Sequence, residues 1–143
     1  SKRFGTRVLP MRVLIDTNVL FSAALNPSGT PFQAYVKAVT PPNTGIICRQ
    51  NIEELRRTFN RKLPHKIQAL ESFLAVSMLM LEVVPVPEAA YASEKQVRDV
   101  NDRPILRAAI HAKADVILTG DKDLLEADLK RPLACTPAQF LNM

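Results

Sequence analysis

Side chains that bind zinc or stack on nucleobases are scarce in this sequence of 143 residues. It contains two cysteines, two histidines and two tyrosines, and it has no tryptophan. Cys48 and Cys135 form no Cys-x-x-Cys pair, and we interpret them as reduced thiols that pack as small apolar residues. The composition therefore argues against a zinc site and gives little support to base stacking by Tyr35 or Tyr91.

No apolar run is long enough for a signal sequence or a membrane span, since Arg12 and Asp16 interrupt the first one. We expect a cytoplasmic protein that makes no membrane contact. Residues 1–10 are basic and precede Met11, where the first strand-like run opens. They are consistent with an upstream extension, a cloning remnant or a genuine basic tail, so we predict the domain from residues 11–143 alone.

The chain does have an ordinary apolar content and an excess of positive charge. Hydrophobic residues make up 47% and charged residues 23%, which fits one globular domain. The formal net charge is +5, so a polyanion is the first partner to consider.

Short apolar runs alternate with longer helical patterns along the chain, which is typical of βαβ units and a parallel sheet. The sequence therefore predicts an α/β fold. The predicted strands cover residues 12–15, 45–48, 81–86, 115–119 and 133–135.

The helical patterns fill the segments between these strands. We predict helices over 19–25, 32–39, 51–61 with Asn51 as N-cap, 65–81 as the longest, 88–98, 104–113 with Asp102 as N-cap, and from Thr136-Pro137 onwards. Helix 65–81 is more apolar than one core face requires. A central helix buried on most sides and a helix that also forms a homodimer interface are both consistent with this.

Four carboxylates follow or flank the predicted strands in a way that could build a site. Asp16 and Asp121 close two strands, Glu54 lies early in a helix, and Asp102 opens another. Because the carboxyl ends of parallel strands meet at one edge of a sheet, we expect these side chains to point into one crevice. Asp115 stands at the opposite end of its strand, and we expect it to point away.

Each acid also has a structural interpretation. Asp16 and Asp102 precede helices and could be N-caps, whereas Glu54 could favour its helix dipole or pair with a side chain one turn on. Asp123 could be a second ligand or a helix-start acid. Asp99, three residues before Asp102, could replace or supplement it.

Several carboxylates in one crevice repel one another, by roughly 4 kcal/mol for a pair about 4 Å apart at an effective dielectric near 20. A bound cation would remove this repulsion. All candidate ligands are oxygen atoms, because His65 and His111 are far apart and His111 should lie on the opposite side of its helix from Asp102. A hard divalent ion, Mg²⁺ or Mn²⁺, is therefore the predicted cofactor.

Four segments together resemble PIN domains, in particular the VapC-like toxin components of bacterial toxin–antitoxin systems. They are residues 11–20 (MRVLIDTNVL), 54–55 (EL), 97–102 (VRDVND) and 118–124 (LTGDKDL). The resemblance extends from Met11 to Leu141 and includes the Thr136-Pro137 start of the last helix. It implies a three-layer α/β/α sandwich with a mostly parallel central sheet of about four to five strands, and a nuclease domain over 11–143.

The resemblance also implies a metal-dependent endoribonuclease, the toxin of a type II toxin–antitoxin system, that leaves 5′-phosphate and 3′-hydroxyl ends. Its catalytic, metal-binding acids would be Asp16, Glu54, Asp102 and Asp121, with Asp123 as a further metal ligand. Supporting side chains would be those of Thr17, Asn18, Asp99 and Thr119. Its partners would be RNA and a cognate antitoxin that covers the crevice and inserts a basic side chain among the acids.

Two positions depart from the family pattern. Cys48 stands where a small hydroxyl residue is usual, and Val100-Asn101 replace the common Pro-Asp before the third acid. Neither change removes a metal ligand, but both bear on the local geometry of the site.

RNA phosphates could be bound by basic residues near the acids. Residues 49–66 hold six basic residues against two glutamates, a local excess of four positive charges, and this pattern also fits a solvated helix face. The residues assigned to RNA binding are Arg49, Arg56, Arg57, Arg61 and Lys122, with Lys62, Lys66, Arg103 and Arg107 as further candidates.

Three other functions compete with that of a ribonuclease. A phosphatase of the HAD type would need a second aspartate two residues after Asp16, where Asn18 stands. A structure-specific DNA nuclease would need extra segments to clamp its substrate. A non-catalytic RNA-binding or protein-interaction module that keeps the fold stays open, because retained acids do not prove turnover.

Overall fold

A computed structural model describes residues 9–143, and its centre is a five-stranded parallel sheet in the order β3-β2-β1-β4-β5. The strands are β1 Arg12–Ile15, β2 Thr44–Cys48, β3 Leu81–Val84, β4 Val116–Leu118 and β5 Leu133–Cys135. Each matches a predicted apolar run to within two residues at either end. The predicted parallel α/β fold is confirmed.

Seven α-helices occur in residues 9–143 and connect the strands. They are α1 Thr17–Leu25, α2 Thr30–Val39, α3 Arg49–Lys62, α4 Ile67–Ser77, α5 Arg103–His111, α6 Lys122–Leu125 and α7 Pro137–Leu141. Most of the basic segment predicted at residues 1–10 lies outside the described residues. Over residues 9–143, no helix combines the length and the apolar character that crossing a membrane requires.

The helices form two layers because successive strand residues point to opposite faces of the sheet. Val13 and Ile15 pack with buried residues of α1, α2, α3, α4 and α7, whereas Leu14 packs with buried residues of α5 and α6. Helices therefore cover both faces, and the predicted three-layer α/β/α sandwich is confirmed.

Helix α3 begins two residues before the predicted start, directly after β2. Cys48 is the N-cap residue in extended conformation, and its side chain makes no capping hydrogen bond. The prediction that Asn51 caps this helix is wrong, because the strand passes straight into the helix and leaves Asn51 inside the first turn, where it is buried.

Helix α4 is shorter and less buried than predicted for residues 65–81. Pro64–Lys66 form a separate 3₁₀ turn, and the helix ends at Ser77, before β3 begins at Leu81. The longest helix is therefore α3 and not α4, as had been predicted. Leu70 and Leu74 face the core, but Val76 is 58% exposed, and Leu79 and Met80 beyond the helix end are also exposed. Burial on most sides is therefore wrong, and only one face of α4 packs on the core.

The segment from Pro85 to Asp102 has only two short 3₁₀ turns, Ala92–Gln96 and Val100–Asp102, instead of the predicted helix over 88–98. Glu94 accounts for this, because its buried carboxylate accepts hydrogen bonds from the Tyr91 amide at 2.7 Å and from the Arg107 guanidinium at 2.9 and 3.0 Å. The segment is thereby tied to α5, and this attachment positions the acids at its end.

We expect Glu94→Ala to lower the free energy of unfolding by about 1–3 kcal/mol, because it leaves the half-buried Arg107 without its carboxylate. Urea denaturation at neutral pH would measure this. Glu71→Ala is the matched control, since Glu71 also pairs with an arginine through two bonds but on an exposed surface, where such a pair contributes about 0–1 kcal/mol. Equal losses in the two variants would contradict this account of the segment.

Candidate metal centre

The four predicted acids meet at the carboxyl edge of the sheet. Asp16 directly follows β1, Asp121 lies in the loop after β4, Glu54 stands on α3, and Asp102 directly precedes α5. All four line one cleft with a volume of about 360 Å³. The cleft lies between β1 and β4, where parallel α/β sheets usually bind their ligands.

Asp16 is held by three donors and is only 8% exposed. Its Oδ1 accepts from the Thr17 amide at 2.8 Å, and its Oδ2 accepts from the Thr119 hydroxyl at 2.7 Å and the Asn18 amide group at 3.2 Å. Burial raises its pKa, while the bonds from Thr119 and Thr17 oppose that rise. Asp16 therefore caps α1 and also lines the cleft, so the structural interpretation does not exclude the functional one.

The same polar side chains connect the other acids to Asp16. The Thr17 hydroxyl donates to Glu54 Oε1 at 2.8 Å, and the Thr119 hydroxyl oxygen accepts from the Asp121 amide at 3.0 Å. Asn18 Oδ1 accepts from the Gly120 amide at 3.1 Å. The three side chains predicted to support the first and fourth acids thus link β1, α3 and the loop after β4.

Asp102 behaves differently from a helix cap. Its side chain makes no capping hydrogen bond with α5, and its Oδ2 is buried without a hydrogen-bond partner in the described part of the chain. Burial and the neighbouring Asp121 carboxylate raise the pKa of Asp102 from 3.8 to about 7. Capping therefore does not explain this carboxylate.

Asp99 and Asp123 form a second group of acids with Asp102, since one carboxylate oxygen from each lies within 4.8 Å of the other two. Asp99 caps the turn Val100–Asp102 by accepting from the Asn101 amide at 2.9 Å, and Asp123 pairs with the exposed Arg98. Asp102 thus lines the cleft with Asp121 and also belongs to the close group with Asp99 and Asp123.

The donor set fits a hard divalent ion. The ligands are carboxylate oxygens, the choice of Mg²⁺ and Mn²⁺, and the partnerless Asp102 Oδ2 is an atom that a cation would satisfy. A cation would also offset the burial and the repulsion from Asp121 that raise the pKa of Asp102.

The predicted basic residues are placed unequally. Arg49, Arg57, Arg61, Lys66 and Lys122 are exposed and form no ion pair within residues 9–143, but Arg56 is bound to Glu71 at 2.9 Å. Arg103 donates to the Val97 carbonyl and Arg107 is paired with Glu94, so these two hold the chain together.

The cleft also contains residues that the sequence patterns did not single out as ligand-binding. Phe21 and Ser22 from α1 and Gln50, Asn51 and Thr58 from α3 line it. Lys62, a further candidate for RNA binding in the sequence, also lines it. A signal was available, since Glu54, Thr58 and Lys62 follow one another at a spacing of four and so share one face of α3.

Asp115 was predicted to point away from the other acids, and it lies at the opposite edge of the sheet and does not line the cleft. Asp115 accepts from the Arg12 amide and from the Arg131 guanidinium, both at 2.8 Å. His111 is exposed, and Cys48 is a buried thiol whose pKa burial raises.

Metal-free protein should become less stable as pH rises from about 4 to about 7. The folded chain keeps the Asp102 proton up to its raised pKa, whereas the unfolded chain loses it near pH 4, so stability present at low pH is lost over this window. Asp102→Asn should remove part of this loss and raise the melting temperature at pH 8 in EDTA, by about 4 °C for each kcal/mol of repulsion relieved.

Asp115→Asn is the matched control, and it should lower the melting temperature because Arg12 and Arg131 lose a charged acceptor. Thermal melts of both variants and the wild type at pH 5 and pH 8 would measure the two signs. An Asp102→Asn curve parallel to that of the wild type at both pH values would contradict the assignment of this proton.

Comparisons with known proteins agree with this architecture. A solved VapBC2 complex from Rickettsia felis, bound to promoter DNA, contains a chain with a TM-score of 0.66 and 16% identity that covers 88% of this chain and 98% of its own. Mycobacterium tuberculosis VapC20, described as a toxin that cleaves the Sarcin-Ricin loop, gives a TM-score of 0.55 at 16% identity, covering 82% and 95%. At this identity the likeness concerns the fold.

Sequence comparison shows the family as well as the fold. An uncharacterized protein of Methanocaldococcus jannaschii is 28% identical over 124 residues, which cover 82% of this chain and 75% of that protein. The family model of the PIN domain matches residues 12–123, a span that begins at β1 and contains all four acids of the cleft. The parallel sheet, the acids at its carboxyl edge and this match over most of the chain agree, and the chain belongs to the PIN domain family.

Proposed function

We propose that this chain is a metal-dependent endoribonuclease that hydrolyses RNA phosphodiester bonds. The observation that carries the proposal is the convergence of four carboxylates on one cleft, where Asp102 keeps an unpartnered oxygen and a pKa raised to about 7. Carboxylates placed together at this cost to stability favour a function over a structural role.

The ion would be held by Asp16, Glu54, Asp102 and Asp121, with Asp123 near Asp102 on the outer side. When bound, Mg²⁺ or Mn²⁺ activates a water molecule and stabilises charge on the attacking and leaving oxygens of the phosphodiester.

The protein's own side chains supply orientation. Thr17 binds Asp16 through its amide and Glu54 through its hydroxyl, so a ligand on β1 and one on α3 are held in a common geometry before substrate arrives. Thr119 does the same for Asp16 and the Asp121 backbone. Asp102 must lose its proton to act as a ligand, so activity should rise as pH passes through about 7 unless the ion lowers this pKa.

Several observations support RNA as the substrate. Basic side chains that form no ion pair in the described chain stand on α3, the helix of Glu54, and at the start of α6, next to Asp121. They can bind phosphates without breaking an ion pair: Arg49, Arg57, Arg61 and Lys122. Arg56 would first have to leave Glu71. The fold is shared with VapC20, a toxin that cleaves the Sarcin-Ricin loop.

Asp16→Asn and Asp121→Asn should each lower the rate of RNA hydrolysis by at least about 100-fold, because each removes one charged ligand while the fold is kept. Single-stranded RNAs of mixed sequence, incubated with Mg²⁺, Mn²⁺ or EDTA and analysed by sequencing gel, would measure this. Asp115→Asn is the control, because it changes the same residue type at the opposite edge of the sheet.

Metal-dependent cleavage by Asp16→Asn at the wild-type rate would refute the ligand assignment. RNA binding without cleavage, unaffected by metal and by Asp16→Asn, would favour the non-catalytic RNA-binding module instead.

A toxin role with a cognate antitoxin is the biological form of this proposal, supported by the fold shared with the VapBC2 complex. The acidic cleft fits a partner that inserts a basic side chain. Asp121→Lys should therefore weaken such a complex by at least about tenfold, as measured by calorimetry with the purified partner. A complex that leaves the cleft open and binds Asp121→Lys as tightly as the wild type would contradict this proposal.

The predicted homodimer stays a prediction. Val76, Leu79 and Met80 are the exposed apolar residues near α4 that a second copy would cover.

A further inference from the structure

The acidic cleft does not end at the four carboxylates, because it continues between α1 and α3. Phe21 and Ser22 form one wall of this extension, and Asn51, Thr58 and Lys62 form the other. We call this part of the cleft the helix arm. It combines an aromatic wall, an amide and a cation, which are the contacts that a nucleotide takes up through its base and its phosphate.

Asn51 is the feature of the helix arm that the fold leaves unexplained. It is 1% exposed, it lines the cleft, and neither its Oδ1 nor its Nδ2 has a hydrogen-bond partner within residues 9–143. A buried amide without partners costs a protein stability. The side chain can turn toward a ligand without breaking a hydrogen bond, and it offers a donor and an acceptor together.

Lys62 lies at the outer end of the helix arm on the same face of α3 as Glu54. The two are eight residues apart, which is about 12 Å along an α-helix. That rise places residue 62 beyond a phosphate bound at the acids, and the long side chain of Lys62 can extend toward another phosphate of the same strand. Lys62 forms no ion pair in the described chain, so it is free to bind one.

Phe21 gives the arm a rigid apolar surface. Its ring packs against Phe59 with centroids 5.0 Å apart and is itself only partly buried. A base entering the arm would meet this ring on one side and the α3 residues on the other.

We propose that the helix arm is a subsite for an unpaired nucleotide next to the cleaved bond, in which Lys62 binds the outer phosphate and Asn51 hydrogen-bonds the base and sets sequence preference. This rests on the proposed ribonuclease activity and names the part of the substrate that the enzyme reads. Double-stranded RNA would not enter, because its bases are stacked and paired.

The base preference can be measured within each variant, so that overall activity cancels. A pool of single-stranded RNAs, randomised around one cleavage site, would be digested with Mg²⁺ and sequenced to give relative rates for each base at each position. Wild type should prefer one base at one flanking position, and Asn51→Leu should reduce that preference by roughly tenfold while preferences elsewhere stay unchanged.

Asn51→Leu also separates recognition from structure. Because the amide makes no hydrogen bond in the described chain, its replacement by an apolar side chain of similar size should leave the melting temperature unchanged or raise it. A lower melting temperature with intact base preference would overturn the proposal and make Asn51 a structural residue.

Lys62→Met tests the phosphate contact with little change in side-chain length. It should raise KM with kcat nearly unchanged and lower the slope of log affinity against log salt by about one. Lys62→Arg should restore both. Lys130→Met is the matched control, since Lys130 is exposed just before β5 at the opposite edge of the sheet, and it should have no effect.

Fluorescence anisotropy with a labelled single-stranded RNA separates failure of the subsite from failure of the proposed activity. Cleavage with equal effects of Lys62→Met and Lys130→Met would overturn the subsite alone. RNA binding that depends on Lys62 and Asn51 without cleavage would support the subsite and overturn the ribonuclease. No RNA binding by the wild type would overturn both.

Discussion

Repulsion among carboxylates at one edge of the sheet is the constraint that organises the rest of this molecule. The chain does not relieve it with cations of its own, because among the described residues the basic side chain bound to these acids is Arg98, and it reaches only Asp123. Instead, neutral donors hold Asp16 and Glu54, and Asp102 keeps a proton near neutral pH. A folded protein that retains this unfavourable arrangement must obtain its stability elsewhere, and the apolar layers on the two faces of the sheet provide it.

The order of the strands explains why the acids meet. The chain starts in the middle with β1, moves outwards to β2 and β3, and then returns to β4 and β5 on the other side. The connections after β1 and β4 therefore leave in opposite directions and open a crevice at the carboxyl edge, the position where such sheets bind ligands. At the opposite edge Asp115 bonds to Arg12 and Arg131 instead. Two aspartates at the two ends of β4 thus have different tasks because of topology alone.

Much of this could be predicted from sequence, and the exceptions have physical causes. Buried parallel strands are continuous apolar runs, so all five were found, and an acid directly after such a run is placed by the strand itself. The segment 88–98 was misjudged because the tertiary bonds of Glu94 to Arg107 override its helical propensity. Asn51 was predicted to cap α3 because asparagine is a common N-cap residue. The helix begins earlier, directly after Cys48, whose side chain makes no capping hydrogen bond that would mark the start. The extent of α4 depended on the turn that leads into β3, which apolar spacing does not encode.

The two parts of the cleft are built by different means, and this bears on how PIN domains of similar fold can differ in substrate. The acids stand at strand ends and at helix starts next to the sheet, so their relative positions follow from the most rigid part of the fold. The helix arm is formed by side chains along α1 and α3, where a substitution at residue 51, 58 or 62 changes what the arm can bind without moving a strand. Chains with 16% identity share this fold. In this chain the facing sides of α1 and α3 carry a buried amide with no partner in the described residues and a lysine that forms no ion pair there. If these side chains bind RNA as proposed, the helices and not the acids distinguish one RNA from another.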